Sequence, residues 1–342
     1  MAPNFILNKS FVLVNNIGPG DTIEPNLGVR ASLFDTNATP PKGGILTKNL
    51  YASLDPYQLG KMRGHSGLRC YGRPYKIGET IDNFAIAEVI GSDSPKFKCG
   101  DFITGILPIE EYSQISYVTV DTLLSRLEDT SGFSLDIFLG PLGIPGLAAH
   151  ASFYNIGRPT SGETIFISTA AGAVGQVVGQ LAKFDGLKVI GSVGSAEKLR
   201  FLMDELKFDG GFNYHEESAK DALMRLAPEG IDIYFDNVGG EQLEAALSAM
   251  KRKGRIVGCG MMSTYADPDN EPGVRGLMNV IMKALTFQGF DVIADFTGTD
   301  HVLAHQQCVR QHLREDSAPK GYASIYAGEN FGKVILKIAD PS

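Results

Sequence analysis

From residue 5 to about residue 127, apolar residues come in short runs broken by Gly, Pro and Asn, with no stretch of helical spacing until the 120s. Residues 10–15, 44–54, 81–91, 102–106 and 114–119 favour β-branched and apolar side chains and are expected as strands. After Gly162 the pattern changes. Residues 164–168 (TIFIS) form a short apolar run suited to a strand covered on both faces, and 173–183 carry apolar residues at helical spacing. Strands at 188–192, 211–214, 231–235, 255–259 and 285–290 alternate with helical stretches at 196–206, 241–251 and 273–284. That alternation predicts an α/β fold with a doubly wound parallel sheet of the Rossmann kind. Beyond about Gly298 come one polar helix (302–314) and a final strand (333–338), which must pair somewhere. Its return to the N-terminal strands is expected to make that domain discontinuous. The expected division is 1–130 with 300–342 as the β-rich domain, and 131–299 as the parallel-sheet domain.

Composition narrows the class. The 342 residues are enough for two domains, and 43% hydrophobic with 20% charged residues is too apolar for disorder. Glycine is in excess, 40 residues, about 12% against the ~7% usual, which points to tight turns and close backbone approach to a ligand. A net charge of −8 and a pI near 5.3 leave no basic surplus for nucleic acid or an anionic membrane. The longest apolar runs fall far short of a membrane span, the N-terminus does not read as a signal peptide, and the C-terminus carries no peroxisomal or prenylation signal. A cytosolic protein is expected. Cys70, Cys99, Cys259 and Cys308 are scattered without C-x-x-C pairing, so neither a zinc ribbon nor a disulfide framework is expected. His301 and His305 lie four apart, but no Cys or acidic ligand pattern accompanies them, and they read as a solvated helix face.

The chemistry is carried first by Thr169-Ala170-Ala171-Gly172-Ala173-Val174-Gly175, directly after TIFIS. Ala170-x-Gly172-x-x-Gly175 matches the dinucleotide fingerprint G-x-G-x-x-G/A with Ala in the first place. Gly172 would let backbone approach a pyrophosphate, Gly175 would permit close helix–strand packing, and the phosphate would sit on the N–H groups of the helix start at Ala173 and Val174. At the end of the second strand, where an acid would bind the ribose 2′-hydroxyl of NAD, the chain has Gly191-Ser192-Val193-Gly194-Ser195 and no acid until Glu197. Ser195 is placed to cap the next helix, with Lys198 about one turn in, able to reach a 2′-phosphate. The expected cofactor is therefore NADP(H). Asp236-Asn237-Val238-Gly239-Gly240 follows the fourth strand, and Cys259 to Tyr265, with Ser263 between, follows the fifth. Both loops lie at carboxyl ends of strands, where open α/β sheets bind ligands. The Tyr265 phenol can donate a proton or hydrogen bond to a developing oxyanion; equally, it can be a tyrosine packed at a domain seam.

Together these segments resemble the medium-chain dehydrogenase/reductase superfamily, and within it the zinc-free branch of prostaglandin reductases, leukotriene hydroxydehydrogenases and plant alkenal double-bond reductases. Asp55-Pro56-Tyr57 is similar to the branch's D-P-Y, and 143–147 (GIPGL) to its G-x-P-G-x. Phe212-Asn213-Tyr214, 235–240 (FDNVGG) and 328–333 (GENFGK) match as well. The resemblance implies a mostly-β GroES-like catalytic domain beside the Rossmann domain. It places Gly172–Gly175 on the pyrophosphate and Lys198 with Tyr214 on the 2′-phosphate. Asn237, Cys259 to Tyr265, Phe290 and Asn330 would surround the nicotinamide, and Tyr57 and Tyr265 would border the substrate. It also implies a homodimer, no metal, and hydride transfer from NADPH to the β-carbon of an α,β-unsaturated ketone or aldehyde, with protonation at the α-carbon. Two departures stand out: Gln58-Leu59 follow D-P-Y where the family has Met-Arg, and the segment between about 314 and 328 is shorter than the family's return. A zinc-independent alcohol dehydrogenase or ketone reductase, and a non-catalytic NADPH-binding protein, stand as alternatives on the same scaffold.

Overall fold

The computed structural model describes residues 2–18, 21, 23–64, 72–130, 132–265, 273–314 and 332–341. It divides into two compact units, Met1–Leu139 with Val334–Ser342, and Gly140–Lys333.

The first unit is antiparallel. Strands β1 (Phe5–Leu13) and β2 (Leu27–Asp35) form a two-stranded ribbon. A second sheet runs β14 (Val334–Lys337), β3 (Ile45–Leu54), β4 (Asp82–Ser92), β5 (Phe102–Pro108), β7 (Leu124–Arg126), with β6 (Tyr112–Ile115) also on β3. The last strand thus returns to the N-terminal sheet, pairing Ile335 with Ser53. Strand β2 escapes the sequence pattern because five consecutive residues, Val29 to Leu33, are exposed and no buried face imposes alternation. The strand expected over 114–119 ends at Ile115; Ser116 turns the chain into the helix Tyr117–Leu123, packing having overruled β propensity.

The second unit holds six parallel strands in the order β10 (Gly210–Asn213), β9 (Lys188–Val193), β8 (Thr164–Ile167), β11 (Ile231–Asp236), β12 (Met250–Gly258), β13 (Thr286–Gly289). Numbered from its own first strand that is 3-2-1-4-5-6, the doubly wound dinucleotide-binding order, whose direction reverses between β8 and β11. All of β8 is buried because both faces are covered. Ile165 and Ile167 point into one core with Val177, Val178 and Leu181 of the helix Ala173–Phe184, and Phe166 into the other with Phe212 and Tyr234. On that face the Phe166 and Tyr234 rings stack 5.0 Å apart. The helix expected over 273–284 shrinks to Met278–Met282. One helix, Ile144–Ser152, begins within the G-x-P-G-x segment, with Pro145 in its first turn, where a missing N–H costs nothing.

The sequence division at residue 300 is corrected by the helix Thr299–Arg314, which belongs to the second unit. His305 Nε2 donates to the Pro141 carbonyl at 2.7 Å, and Gln306 Nε2 donates to that of Leu142. His305 is therefore not on a solvated face: it is 1% exposed, with the His150 ring 5.9 Å away. Burial, ahead of the His150 and Arg310 charges and against the Pro141 hydrogen bond, pushes its pKa from 6.5 down to about 4. The neutral ring is the form that folds, so its stabilisation is whole above the unfolded value and is lost as pH falls toward 4. Charging it in place costs roughly 3 kcal/mol. His305→Gln keeps an N–H donor without a titrating ring and is expected to flatten the fall in melting temperature from pH 6.5 to 4. An acid limb unchanged from the parent's would count against this.

Candidate dinucleotide site at the sheet's carboxyl end

Loops after β8, β9, β11 and β12 gather at one end of the parallel sheet. The turn after β8 is tight. Thr169 sits at φ 51°, in the left-handed region that β-branched residues rarely adopt, while its carbonyl accepts the Gly172 N–H at 2.9 Å. A Cβ on Gly175 would lie 2.5 Å from the Thr169 oxygen and 2.9 Å from the Ala170 Cα, so only glycine lets the helix pack this close. At Gly172 a Cβ would meet the Thr169 oxygen and Cγ2 at 3.0 Å. Gly172 is the N-cap of the helix Ala173–Phe184, and no side chain caps it. The N–H groups of its first turn, at half-buried Ala173 and Val174, are thus presented by a glycine-lined backbone, which is the requirement for a pyrophosphate.

At the end of β9, Ser195 Oγ accepts the Lys198 N–H at 3.2 Å and caps the helix Ala196–Asp204. Lys198 is half-buried there, and its ammonium has no ion-pair partner among the described residues. Tyr214, after β10, folds back so that its hydroxyl lies 2.7 Å from where a Cβ of Gly194 would be, and its N–H donates to the Val193 carbonyl. No carboxylate occupies 191–196, so nothing there repels a 2′-phosphate.

Across the point of reversal, Asn237 locks β11 to β8: its N–H donates to Ser168 Oγ at 2.8 Å and its Nδ2 to the Ser168 carbonyl at 2.7 Å. Asp236, fully buried, collects the N–H groups of Val238 and Gly239 and the Tyr234 hydroxyl on Oδ1. Its carbonyl accepts from Cys259 and Gly260, tying the loop after β12 to the same point. Burial, outweighing those hydrogen bonds, pushes the Asp236 carboxyl up. Burial and then the Asp236 charge push the Cys259 thiol up to about 12, so it stays protonated and unreactive. Ser263 Oγ donates to the Val238 carbonyl at 2.6 Å. The short helix Met262–Tyr265 carries the Tyr265 hydroxyl to 3.5 Å from the Cβ position of Gly260, itself 3.4 Å from the Asn237 carbonyl. Phe290, just past β13, rests on Phe296.

Gly172, Ala173, Val174, Gly175, Lys198, Tyr214, Asn237, Cys259, Ser263 and Tyr265 all follow the carboxyl ends of strands or start the helices after them. Tyr57 belongs to the first unit, where its hydroxyl donates to Asn83 Oδ1. Asn330 lies outside the described residues. Ser168 and Asp236, which fix the loops, were given no role of their own by the sequence; each is a polar residue closing an apolar strand, and that is the signal that marks them.

A parallel sheet in this order, with a glycine-lined helix start at its point of reversal, is the architecture of a dinucleotide-binding domain. Residues 173–305 match the family described as zinc-binding dehydrogenase, and 32–122 that of the N-terminal domain of oxidoreductase. The chain is 46% identical to "NADP-dependent oxidoreductase RED1" of Cochliobolus heterostrophus, over 97% of this chain and 98% of that one. It is 36% identical to "2-alkenal reductase (NADP(+)-dependent)" of Nicotiana tabacum, over 98% of both. Among solved structures, CurA from Vibrio vulnificus in complex with NADPH superposes with a TM-score of 0.82 at 27% identity, over 97% of this chain and 100% of that one. The chain belongs to the medium-chain dehydrogenase/reductase superfamily, in its zinc-free alkenal/enone reductase branch, and is an NADP(H)-dependent oxidoreductase. Among the described residues no group of three His, Cys, Asp or Glu is placed to hold a metal ion, and no helix is long and apolar enough to cross a membrane.

Proposed function

We propose that this enzyme reduces the carbon–carbon double bond of an α,β-unsaturated ketone or aldehyde, with Tyr265 assisting at the carbonyl oxygen. The observation that carries the reading is the Tyr265 hydroxyl 3.5 Å from the Cβ position of Gly260, in the loop that follows β12 at the carboxyl end of the parallel sheet. It is supported by relatives named for such chemistry, "2-alkenal reductase (NADP(+)-dependent)" and, from Mentha piperita, "(+)-pulegone reductase" at 37% identity over 98% of this chain and 99% of that one.

In this reading Gly172, Ala173, Val174 and Gly175 hold the pyrophosphate, and Lys198 with Tyr214 the 2′-phosphate. Asn237, Cys259, Ser263, Tyr265 and Phe290 surround the nicotinamide, with Asn330 carried over from the family motif, and Tyr57 borders the substrate. When bound, NADPH supplies the hydride. As a C–H bond forms at the β-carbon, the double-bond pair moves toward the α-carbon and charge builds on the carbonyl oxygen. A phenol aimed at that oxygen stabilises the transition state more than the ground state. The α-carbon then takes a proton, from the phenol directly or through water. Reduction with deuterated NADPH is expected to put the label on the β-carbon and leave a saturated carbonyl product. Label on a carbinol carbon would instead make this a carbonyl reductase, and cofactor binding without turnover of any enone a binding protein. We propose the same enzyme as a cytosolic homodimer acting on small molecules without zinc. Exhaustive treatment with a chelator is expected to leave turnover unchanged.

Lys198→Ala is expected to raise the KM for NADPH roughly ten- to a hundredfold, the worth of a charge-assisted contact to a phosphate. KM for NADH should scarcely move, because NADH has no 2′-phosphate to lose. Equal losses with both cofactors would show that Lys198 acts on the fold instead.

A further inference from the structure

Asp236 closes β11 beside the point where the sheet reverses, and the proposed reaction makes no use of its charge. Its side chain is fully buried. Its hydrogen bonds fall on one oxygen: Oδ1 accepts the Val238 N–H at 2.9 Å, the Gly239 N–H at 2.7 Å and the Tyr234 hydroxyl at 2.7 Å. Oδ2 is enclosed and has no hydrogen-bond partner among the described residues. That division fixes the protonation state. A proton on Oδ1 would face three donors, and a proton on Oδ2 would be a buried donor with no acceptor. The carboxylate is the form these contacts hold. Gly239 is also the N-cap of the helix Gly240–Ala249, whose positive end favours an anion. Among the described residues no Lys, Arg or His pairs with the carboxylate.

The charge is felt across the neighbouring loop. The Cys259 thiol, beyond β12, is pushed up partly by it, and the Asp236 carbonyl accepts the Cys259 and Gly260 N–H groups. Asp236 is therefore joined both to Asn237, the next residue, and to Cys259. A buried anion without a counter-ion distinguishes two ligands that differ by one positive charge. The nicotinamide ring is a cation in NADP+ and neutral in NADPH, and the rest of the two molecules is the same.

We propose that Asp236 tunes the bound cofactor: its carboxylate favours NADP+ over NADPH and so makes bound NADPH the stronger hydride donor. The inference rests on the reading that places the nicotinamide beside Asn237 and Cys259. Opposite unit charges about 12 Å apart, at an effective dielectric near ~20, attract strongly enough to change an equilibrium roughly tenfold. Tenfold in the ratio of the two dissociation constants lowers the midpoint potential of the bound two-electron couple by about 30 mV. Asp236 acts through the cofactor, as a positioning residue for charge and not as a catalytic one.

The test measures dissociation constants with no enone present. The parent, Asp236→Asn and Asp236→Glu are titrated by calorimetry with NADP+, NADPH and 2′-phospho-ADP-ribose, which lacks the nicotinamide. In Asp236→Asn the amide oxygen can keep the three donors, and Kd for NADP+ is expected to rise roughly tenfold relative to Kd for NADPH. Asp236→Glu keeps the charge and should keep the parent's ratio even where both affinities fall. An unchanged ratio in Asp236→Asn, an equal loss for all three ligands, or a ratio that moves as far in Asp236→Glu overturns the inference.

If the variants do not fold, the pH profile of the parent decides. Burial raises the Asp236 pKa, so lowering the pH from 8 to 4.5 neutralises the carboxylate. Kd for NADP+ should then rise relative to Kd for 1,4,5,6-tetrahydro-NADP, an acid-stable analogue with a neutral ring. Both ligands carry the 2′-phosphate, so its titration cancels. Tyr234 on the same strand and Cys259 beyond β12 stay protonated over this range, because burial pushes both up. Glu241, in the first turn of the helix Gly240–Ala249, is exposed and screened by solvent. A ratio that stays constant overturns the inference. The deuterium label reports on the reaction separately. A ratio that shifts, with label on a carbinol carbon, upholds the tuning and overturns the enone reading; an unshifted ratio, with label on the β-carbon, does the reverse.

Discussion

Tyr265→Phe is expected to cut turnover on enones roughly 10²–10⁴-fold, the usual contribution of a positioned general acid. The KM for NADPH should change little. The removed atom is a single hydroxyl on the short helix Met262–Tyr265. The backbone that carries the ring is held independently, by Met262 N–H to the Asn237 carbonyl and Ser263 N–H to that of Val238. The phenylalanine therefore has a place prepared for it, and the loss falls on chemistry. A phenol donating a hydrogen bond gains most from an oxygen that becomes anionic during the reaction. The measurement is a single-turnover rate at saturating NADPH, with a thermal melt of the variant alongside. A loss confined to KM for the enone would make Tyr265 a binding residue and assign the proton to water.

The contrast between the turn after β8 and His305 shows what the sequence discloses. Residues 164–175 were legible in full, because an apolar strand, a glycine turn and an amphipathic helix each leave a local pattern. Ser195 as a cap and Lys198 one turn later were readable for the same reason: capping is a matter of neighbours. His305 was not. Its burial is created by Pro141, 164 residues away in the chain, and four-residue spacing cannot tell a solvated histidine from one that docks a helix. Asn83 was equally silent, since its partners Ser53, Asp55 and Gln58 lie on another strand and turn. Of that network only Gln58 left a trace, as a departure from the family's Met. Strand β2 failed for the opposite reason: a strand exposed over five consecutive residues has no periodicity to read.

Gly175→Ala is expected to lose both stability and cofactor, and Gly172→Ala cofactor alone. At Gly175 the added Cβ falls 2.5 Å from the Thr169 carbonyl oxygen and 2.9 Å from the Ala170 Cα, both backbone atoms. Neither can swing away as a flexible side chain would. Thr169 already holds a φ of 51°, so the turn has little left to yield. Either the helix Ala173–Phe184 moves off the strand or the turn opens. Overpacking of this kind costs about 1–3 kcal/mol, which is a clear drop in melting temperature. The same displacement carries away the N–H groups at Ala173 and Val174, so affinity for NADPH should fall by at least roughly tenfold, the equivalent of about 1.4 kcal/mol. Gly172 differs in kind. Its φ of −79° and ψ of 169° are open to any residue, and its new Cβ meets Thr169 at 3.0 Å, which a small shift relieves. The melting temperature should hold within a degree or two in the absence of cofactor, since a small adjustment costs only a few tenths of a kcal/mol. The methyl group would instead stand on the surface that a pyrophosphate must approach, and the stabilisation that NADPH confers on the parent should shrink accordingly. Melts of both variants with and without NADPH, beside a fluorescence titration, separate the two cases. Wild-type NADPH affinity in Gly175→Ala would remove the pyrophosphate from this turn.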